Sequence, residues 1–136
     1  MNDNFESLKE ISLPPLNEND VPTLTKACMD ELTNAKAKDL VAIDLGGFSS
    51  IADTMVICSG TSNRHVCAIA DRLQKYLAER GIHGVQISGD REGEWVIADV
   101  GSVIVHIFQP EIRERYRLED LYRCMAAGES VQDLRS

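Results

Sequence analysis

The sequence lacks most features of a secreted, membrane-spanning or metal-stabilised protein. No apolar run reaches the roughly 18 residues of a membrane span, and the first residues carry Asp3, Glu6 and Glu10 instead of a basic targeting segment. The four cysteines form no Cys-x-x-Cys pair and no Cys/His cluster at zinc spacing. We therefore expect a cytoplasmic protein with no membrane contact, cofactor or metal, in which Cys58 and Cys67 are small buried hydrophobes.

Basic residues are also scarce. The chain has 14 lysines and arginines against 22 aspartates and glutamates, which gives a formal net charge of −8. Because no basic stripe is present, we expect little direct contact with a nucleic-acid backbone. An acidic surface is better suited to a basic protein, and many basic proteins in a cell are associated with nucleic acids.

The residue patterns of catalysis are missing as well. Nucleotidyl transfer needs closely spaced carboxylates that hold magnesium, whereas Asp44, Asp53 and Asp99 are each alone on their strands or strand ends. The turn SGTSNRH at 59–65 resembles an anion site before a helix, but it lacks the glycine spacing and the lysine of a P-loop. An ordinary strand-to-helix turn, capped by Thr61 or Ser62, is the favoured interpretation. We predict that the protein is not an enzyme.

Hydrophobic periodicity predicts the element order α-β-β-α-β-β-β-α. The helix at 62–80 connects two strands, so we expect a crossover and a mixed five-stranded sheet flanked by helices, an α/β fold. Polar residues 1–20 are expected to form a disordered extension, 21–122 the α/β domain and 123–136 a C-terminal tail. The predicted helices are 22–37, 62–80 and one helix from Pro110 onwards; the predicted strands are 39–45, 54–59, 84–88, 95–100 and 103–108.

The predicted hairpin at 95–108 has two different faces, since successive strand residues point to opposite sides. One face of its first strand is uniformly small and apolar, whereas the other carries Trp95 and Asp99. On the second strand, His106 shares a face with Ile104 and Phe108. We expect the hairpin to bring an indole, a carboxylate and an imidazole near each other. The same pattern also fits a Trp95 that merely covers the sheet.

The candidate site is therefore a surface. Aromatic residues ringed by charge are typical of interface hot spots, and the hairpin and the following helix supply Trp95, Asp99, Tyr116, Glu119 and Tyr122. The alternative is that Tyr116 and Tyr122 only pack the last helix onto the sheet.

Two long segments carry a family resemblance: DLVAIDLGGFSSIADTMVICSGTSNRHV at 39–66 and WVIADVGSVIVHIFQPEIRERYRLEDLY at 95–122. With the Ala-Asp pair at 70–71, they resemble the Iojap/RsfS family of ribosomal silencing factors. Several motifs match in the same order, while residues 1–20 and the C-terminal tail lie outside the match. One departure is Tyr122, where the family commonly has tryptophan.

The resemblance implies a nucleotidyltransferase-like α/β fold without catalytic carboxylates or transferase activity. It implies binding to the large ribosomal subunit through a basic ribosomal protein, the one numbered fourteen, on the intersubunit face. A factor bound there sterically blocks joining of the small subunit and represses translation under nutrient limitation. Family members are often homodimers when free. The matching motifs assign the ribosomal contact to Trp95, Asp99, His106, Tyr116 and Glu119, with Arg64 and His65 as weaker candidates.

Two other functions stay open at the level of sequence. A large-subunit assembly factor would bind immature particles and promote their maturation. A nucleotide-binding enzyme of the same fold would show bound nucleotide and a dependence on magnesium.

Overall fold

The computed structural model describes residues 14–47, 52–89 and 92–126. These residues form four helices and five strands. In chain order the elements are α1 Val21–Asn34, β1 Lys38–Asp44, β2 Thr54–Ser59, α2 Asn63–Glu79, β3 Gln86–Gly89, β4 Trp95–Asp99, β5 Val103–Phe108, α3 Pro110–Tyr116 and α4 Leu118–Ala126. No helix in the described part of the chain combines the length and apolar character needed to cross a bilayer.

The five strands form one mixed sheet in the order β1-β2-β5-β4-β3. Strands β2 and β5 are parallel, and the three remaining pairings are antiparallel. After β2 the chain crosses along α2 to the far edge of the sheet, and β4 and β5 then bring it back to the centre. This topology confirms the predicted mixed five-stranded α/β fold. All six residues of β2 are buried, as expected for a central strand covered on both faces.

The two faces of the sheet are covered differently. Helices α1 and α2 pack on one face over the main core, to which β4 contributes Val96 and Ala98. The other face holds a smaller core that includes Ile57 and Phe108, packed against residues of α3 and α4. The predicted alternation of the hairpin is confirmed, because Trp95 and Ile97 on this second face are only half-buried.

The sequence signals for helix α2 agree with the structure. Ser62, one of the two predicted caps, accepts a hydrogen bond at Oγ from the N–H of His65 at 3.1 Å. The helix ends before Gly81, whose φ of +91° is the left-handed conformation expected of a glycine at that position. The expectation for Cys67 is wrong: it is exposed. It follows Val66 by one residue, about 100° around the helix, and so falls outside the buried stripe.

The single helix predicted after Pro110 is in fact two helices. Arg117 between them adopts φ +49°, and its N–H donates to the carbonyl of Arg113 at 2.8 Å. In one straight helix, Leu118 would lie about 120° away from Ile112 around the axis, whereas both side chains pack on the second core. The left-handed break brings them to the same side. The second helix continues to Ala126, beyond the predicted end of the domain at 122.

Part of the predicted N-terminal extension packs on the domain. Leu16 is buried in the main core, and its N–H donates to the carbonyl of Arg80 at 2.8 Å. In return, Nη2 of Arg80 donates to the carbonyl of Pro14 at 3.0 Å. An apolar side chain that reaches the core, with satisfied backbone groups, holds residues 14–20 against α2. The rest of the predicted extension, at 1–13, and the end of the predicted tail, at 127–136, lie outside the described residues.

Candidate interaction surface

Four aromatic rings meet on the second face of the sheet, where β4 begins and β5 ends. We call Trp95, His106, Phe108 and Tyr116 the aromatic cluster. Trp95 lies opposite Phe108 in the antiparallel pairing, with ring centroids 4.8 Å apart. Tyr116 reaches the same indole from α3, at 5.1 Å. Both distances lie within the roughly 4.5–7 Å over which aromatic rings attract each other.

A hydrogen bond joins two members of this cluster. Nε1 of Trp95 donates to Nδ1 of His106 at 3.0 Å. His106 lies opposite Ile97 and therefore diagonal to Trp95, which is within reach of aromatic side chains. Burial lowers the pKa of His106 from 6.5 to about 4. The imidazole is therefore neutral near pH 7, and because Nδ1 accepts a hydrogen bond, the ring proton lies on Nε2.

The four side chains of the cluster differ in their exposure to solvent. Phe108 is fully buried and His106 is 7% exposed, whereas Trp95 is half-buried and Tyr116 is 56% exposed. Tyr116 and Met125 are the exposed large hydrophobic side chains in the part of the chain that the structure describes, and both belong to the α3–α4 segment. An exposed aromatic ring supported by buried ones is the kind of group that forms interface hot spots.

An ion pair beside the cluster holds the two short helices together. Arg113 donates from Nε and Nη2 to the two carboxylate oxygens of Glu119 at 2.7 and 2.8 Å, and from Nη1 to Oγ of Ser59 at 2.8 Å. The two side chains are only 11% and 19% exposed. The hydrogen bond from Arg113 holds the pKa of Glu119 below its usual value. This bidentate pair links α3, α4 and the end of β2.

A cleft of about 620 Å³ opens next to this ion pair, between β1 and the two short helices. Its lining contains four carboxylates and two arginines, and each arginine is paired with one of the carboxylates. The cleft is therefore acidic overall, in keeping with the charge of the whole chain. Its charged lining residues are Asp39, Arg113, Glu114, Arg117, Glu119 and Asp120.

The structure brings together some of the predicted site residues. Trp95 contacts both His106 and Tyr116, and Glu119 is joined to the helix of Tyr116 by its pairing with Arg113. The expectation that a carboxylate of the hairpin joins the indole and the imidazole is wrong. Asp99 lies four residues from Trp95, roughly 13 Å along the strand, and its Oδ1 accepts from the N–H of Gly101 at 2.9 Å.

The two weaker candidates lie at the start of α2, on the other face of the sheet. Arg64 is exposed there. His65 is occupied by local structure: its Nδ1 accepts from the N–H of Thr61 at 2.9 Å, and its Nε2 is 2.9 Å from the carbonyl of Ala35. Tyr122 is half-buried and packs on the second core.

Sequence reasoning missed Arg113 and Ser59. Arg113 and Glu119 are six residues apart, which is not a spacing that places two side chains together on one helix. Their contact depends on the break at Arg117, and the sequence contains no glycine or proline there that would signal it. Within the described ranges, no group of three or more His, Cys, Asp or Glu side chains is arranged to hold a metal ion.

Comparison with known proteins agrees with this architecture. The family model described as ribosomal silencing factor during starvation matches residues 18–136. Ribosomal silencing factor RsfS of Haemophilus influenzae is 40% identical over 99 residues, which cover 73% of this chain and 97% of that protein. Mitochondrial assembly of ribosomal large subunit protein 1 of Mus musculus is 35% identical over 94 residues, covering 67% and 41%. A crystal structure of a Chromobacterium violaceum protein has a TM-score of 0.73 at 32% identity and covers 82% of this chain and 88% of its own.

The fold defines the class as small α/β proteins built on one mixed five-stranded sheet. Within that class, the chain belongs to the ribosomal silencing factor (RsfS) family. The family resemblance seen in the two sequence segments is thereby confirmed.

The low pKa of His106 predicts a pH-dependent stability. The unfolded chain binds a proton near pH 6.5, whereas the native imidazole does so only near pH 4. The contribution of His106 to the free energy of unfolding is therefore fully present above pH 6.5. It is lost as the pH falls towards 4, by an amount on the order of 3 kcal/mol. Urea unfolding at pH 7 and pH 4.5 measures it. His106→Asn, which does not titrate there, should lose roughly 2–3 kcal/mol less than the wild type, and an equal loss in both proteins contradicts the prediction.

Removing one partner of the Arg113–Glu119 pair should destabilise the protein. In Glu119→Gln, the poorly exposed guanidinium of Arg113 loses its charged partner, at a cost of about 2 kcal/mol. Asp120→Asn is the matched control, because the Arg117–Asp120 pair has a similar distance of 2.8 Å but side chains that are 64% and 35% exposed. Its cost should stay below about 0.5 kcal/mol. Urea unfolding compares the two variants; similar costs would mean that burial does not decide the strength of the pair.

Proposed function

We propose that the protein is a cytoplasmic ribosomal silencing factor that acts by binding and not by catalysis. It binds the large ribosomal subunit through a basic ribosomal protein on the intersubunit face, the one numbered fourteen, and makes little direct contact with nucleic acid. There it blocks joining of the small subunit and represses translation when nutrients are limited. The free protein is a homodimer. The observation that carries this proposal is the family match over residues 18–136.

Occupancy alone is sufficient for this mechanism. A folded domain of this size is roughly 30–35 Å across, so that it excludes a second large surface wherever it is bound. The formal charge of −8 favours association with a basic protein and steers the encounter, so binding should weaken as salt is raised.

The aromatic cluster and the adjacent ion pair are the surface that we assign to this contact. The exposed ring of Tyr116 and the edge of Trp95 provide apolar contact area, and the acidic cleft beside them fits lysine and arginine side chains of a basic partner. Trp95, Tyr116 and Glu119 are the proposed contact residues. Asp99, Arg64 and His65 stay proposals of lower rank, because they lie away from this surface or are occupied by local hydrogen bonds.

The proposal predicts that Trp95→Ala weakens binding to isolated large subunits by roughly 2 kcal/mol or more, about 30-fold in Kd. Co-sedimentation with large subunits, small subunits and assembled ribosomes is the measurement, and wild-type protein should pellet with large subunits alone. Tyr76→Ala is the matched control, since it removes another half-buried ring, from the opposite face of the sheet. A folded Trp95→Ala variant that pellets like the wild type would remove Trp95 from the contact, and absence of wild-type binding would refute the proposed function.

A second candidate function is assembly of the large subunit, which the name of the mouse relative favours. The two functions differ in what happens when the protein is lost. An assembly factor predicts precursor large subunits in sucrose gradients of growing cells that lack the protein. A silencing factor predicts mature subunits, together with failure to reduce translation on starvation. Purified protein that lowers the yield of assembled ribosomes from mature subunits supports silencing directly.

A further inference from the structure

Most of the His106 side chain is withdrawn from any macromolecular partner. It is 7% exposed and lies within the sheet, between the neighbouring strands β2 and β4. Trp95, in contrast, is half-buried and contacts the three other rings of the aromatic cluster. The polar contact of His106 on this face is the hydrogen bond that it accepts from the indole. This hydrogen bond gives His106 a route to a partner through Trp95.

The indole needs such an acceptor to keep one orientation. Nε1–H is the single polar group of a tryptophan side chain, and it can only donate. Packing against Phe108 and Tyr116 restricts the plane of the ring, while the directional bond to Nδ1 at 3.0 Å selects which edge of the ring faces inward. A β-strand provides a rigid backbone for this acceptor, because the position of His106 follows from its register opposite Ile97.

We infer that His106 is a positioning residue that holds the Trp95 indole in the orientation in which the aromatic cluster binds its partner. The inference rests on the proposed function, in which this cluster contacts a basic ribosomal protein. Ordering the indole before binding avoids the cost of immobilising a large side chain at the interface. The low pKa of His106 supports this role, since a neutral imidazole is available as an acceptor throughout the physiological range.

Two substitutions of His106 distinguish the effect of its acceptor atom, Nδ1, from the effect of the rest of the imidazole ring. In His106→Asn, Oδ1 is bonded to Cγ as Nδ1 is in histidine, so that an acceptor remains near the same place. In His106→Leu, the acceptor is removed and a side chain of similar bulk stays in the core. If His106→Leu does not fold, His106→Gln takes its place, because it carries its amide one bond further out and leaves no acceptor at the position of Nδ1.

The first readout is the proton resonance of the indole N–H. The chain has one tryptophan, so this resonance is single and needs no assignment by mutation. We expect His106→Leu to shift the resonance and to accelerate its exchange with water, whereas His106→Asn should keep both close to the wild type. An unchanged resonance and exchange rate in folded His106→Leu would overturn the inference.

The second readout is a double-mutant cycle in the co-sedimentation assay. His106→Leu should weaken binding to isolated large subunits about 3- to 10-fold, the equivalent of ordering one side chain, and His106→Asn should restore it to within about twofold. In a Trp95→Ala background, His106→Leu should cause no further loss. An equal loss in both backgrounds would show that His106 acts independently of Trp95, and the inference would fail.

The two readouts also separate the inference from the function on which it rests. If the wild type does not bind large subunits, the proposed function fails, and with it the binding role of the cluster. The indole resonance of the three proteins still decides whether His106 orients Trp95. If the wild type binds and the resonance responds but binding does not, the proposed function stands and the positioning role is refuted.

Discussion

The parallel pairing of β2 with β5 decides where the other elements lie. It places two fully or largely buried strands at the centre of the sheet. It also brings their C-terminal residues, Ser59 and Phe108, side by side at the same end of the sheet. Since β4 runs antiparallel to β5, its first residue, Trp95, lies at this end of the sheet too. Ser59 thus meets two residues of a hairpin that is distant in sequence at one end of the sheet, and the surface that we assign to the partner is built there.

The short helices α3 and α4 complete this surface because they are attached to the same end of the sheet. Arg113 connects α3 to Ser59 at the end of β2 and to Glu119 in α4, so that one guanidinium holds three elements. The left-handed residue Arg117 turns α4 back onto the sheet, and Tyr116 immediately before it covers the indole. A bidentate ion pair that is mostly withdrawn from water is directional, which makes it suited to fixing the angle between two short helices.

This architecture is consistent with a protein that works by occupying a site. In the proposed function its contact groups are the aromatic cluster, whose rings range from buried to exposed, and the acidic cleft, both of which suit recognition. In the role that we infer for His106, a buried acceptor preorganises the half-buried Trp95 and so lowers the entropic cost of docking. The family to which the chain belongs is described in terms of silencing ribosomes, and recognition of a fixed surface is the physical requirement for that task.

The sequence by itself determined the features that depend on local pattern. Period-two alternation placed Val96 and Ala98 inside and Trp95 outside, and the cap at Ser62 and the glycine at 81 bounded α2. It did not reveal which polar groups meet. The Asp99 carboxylate accepts a hydrogen bond within its own turn, although it shares a strand face with Trp95. Arg113 pairs with Glu119 only because the helix breaks at Arg117. Alternation and capping depend on interactions between residues close together in sequence. Strand order and the packing of α4 on β1 are decided by the free energy of the whole core. Only the tertiary structure therefore decided the composition of the site.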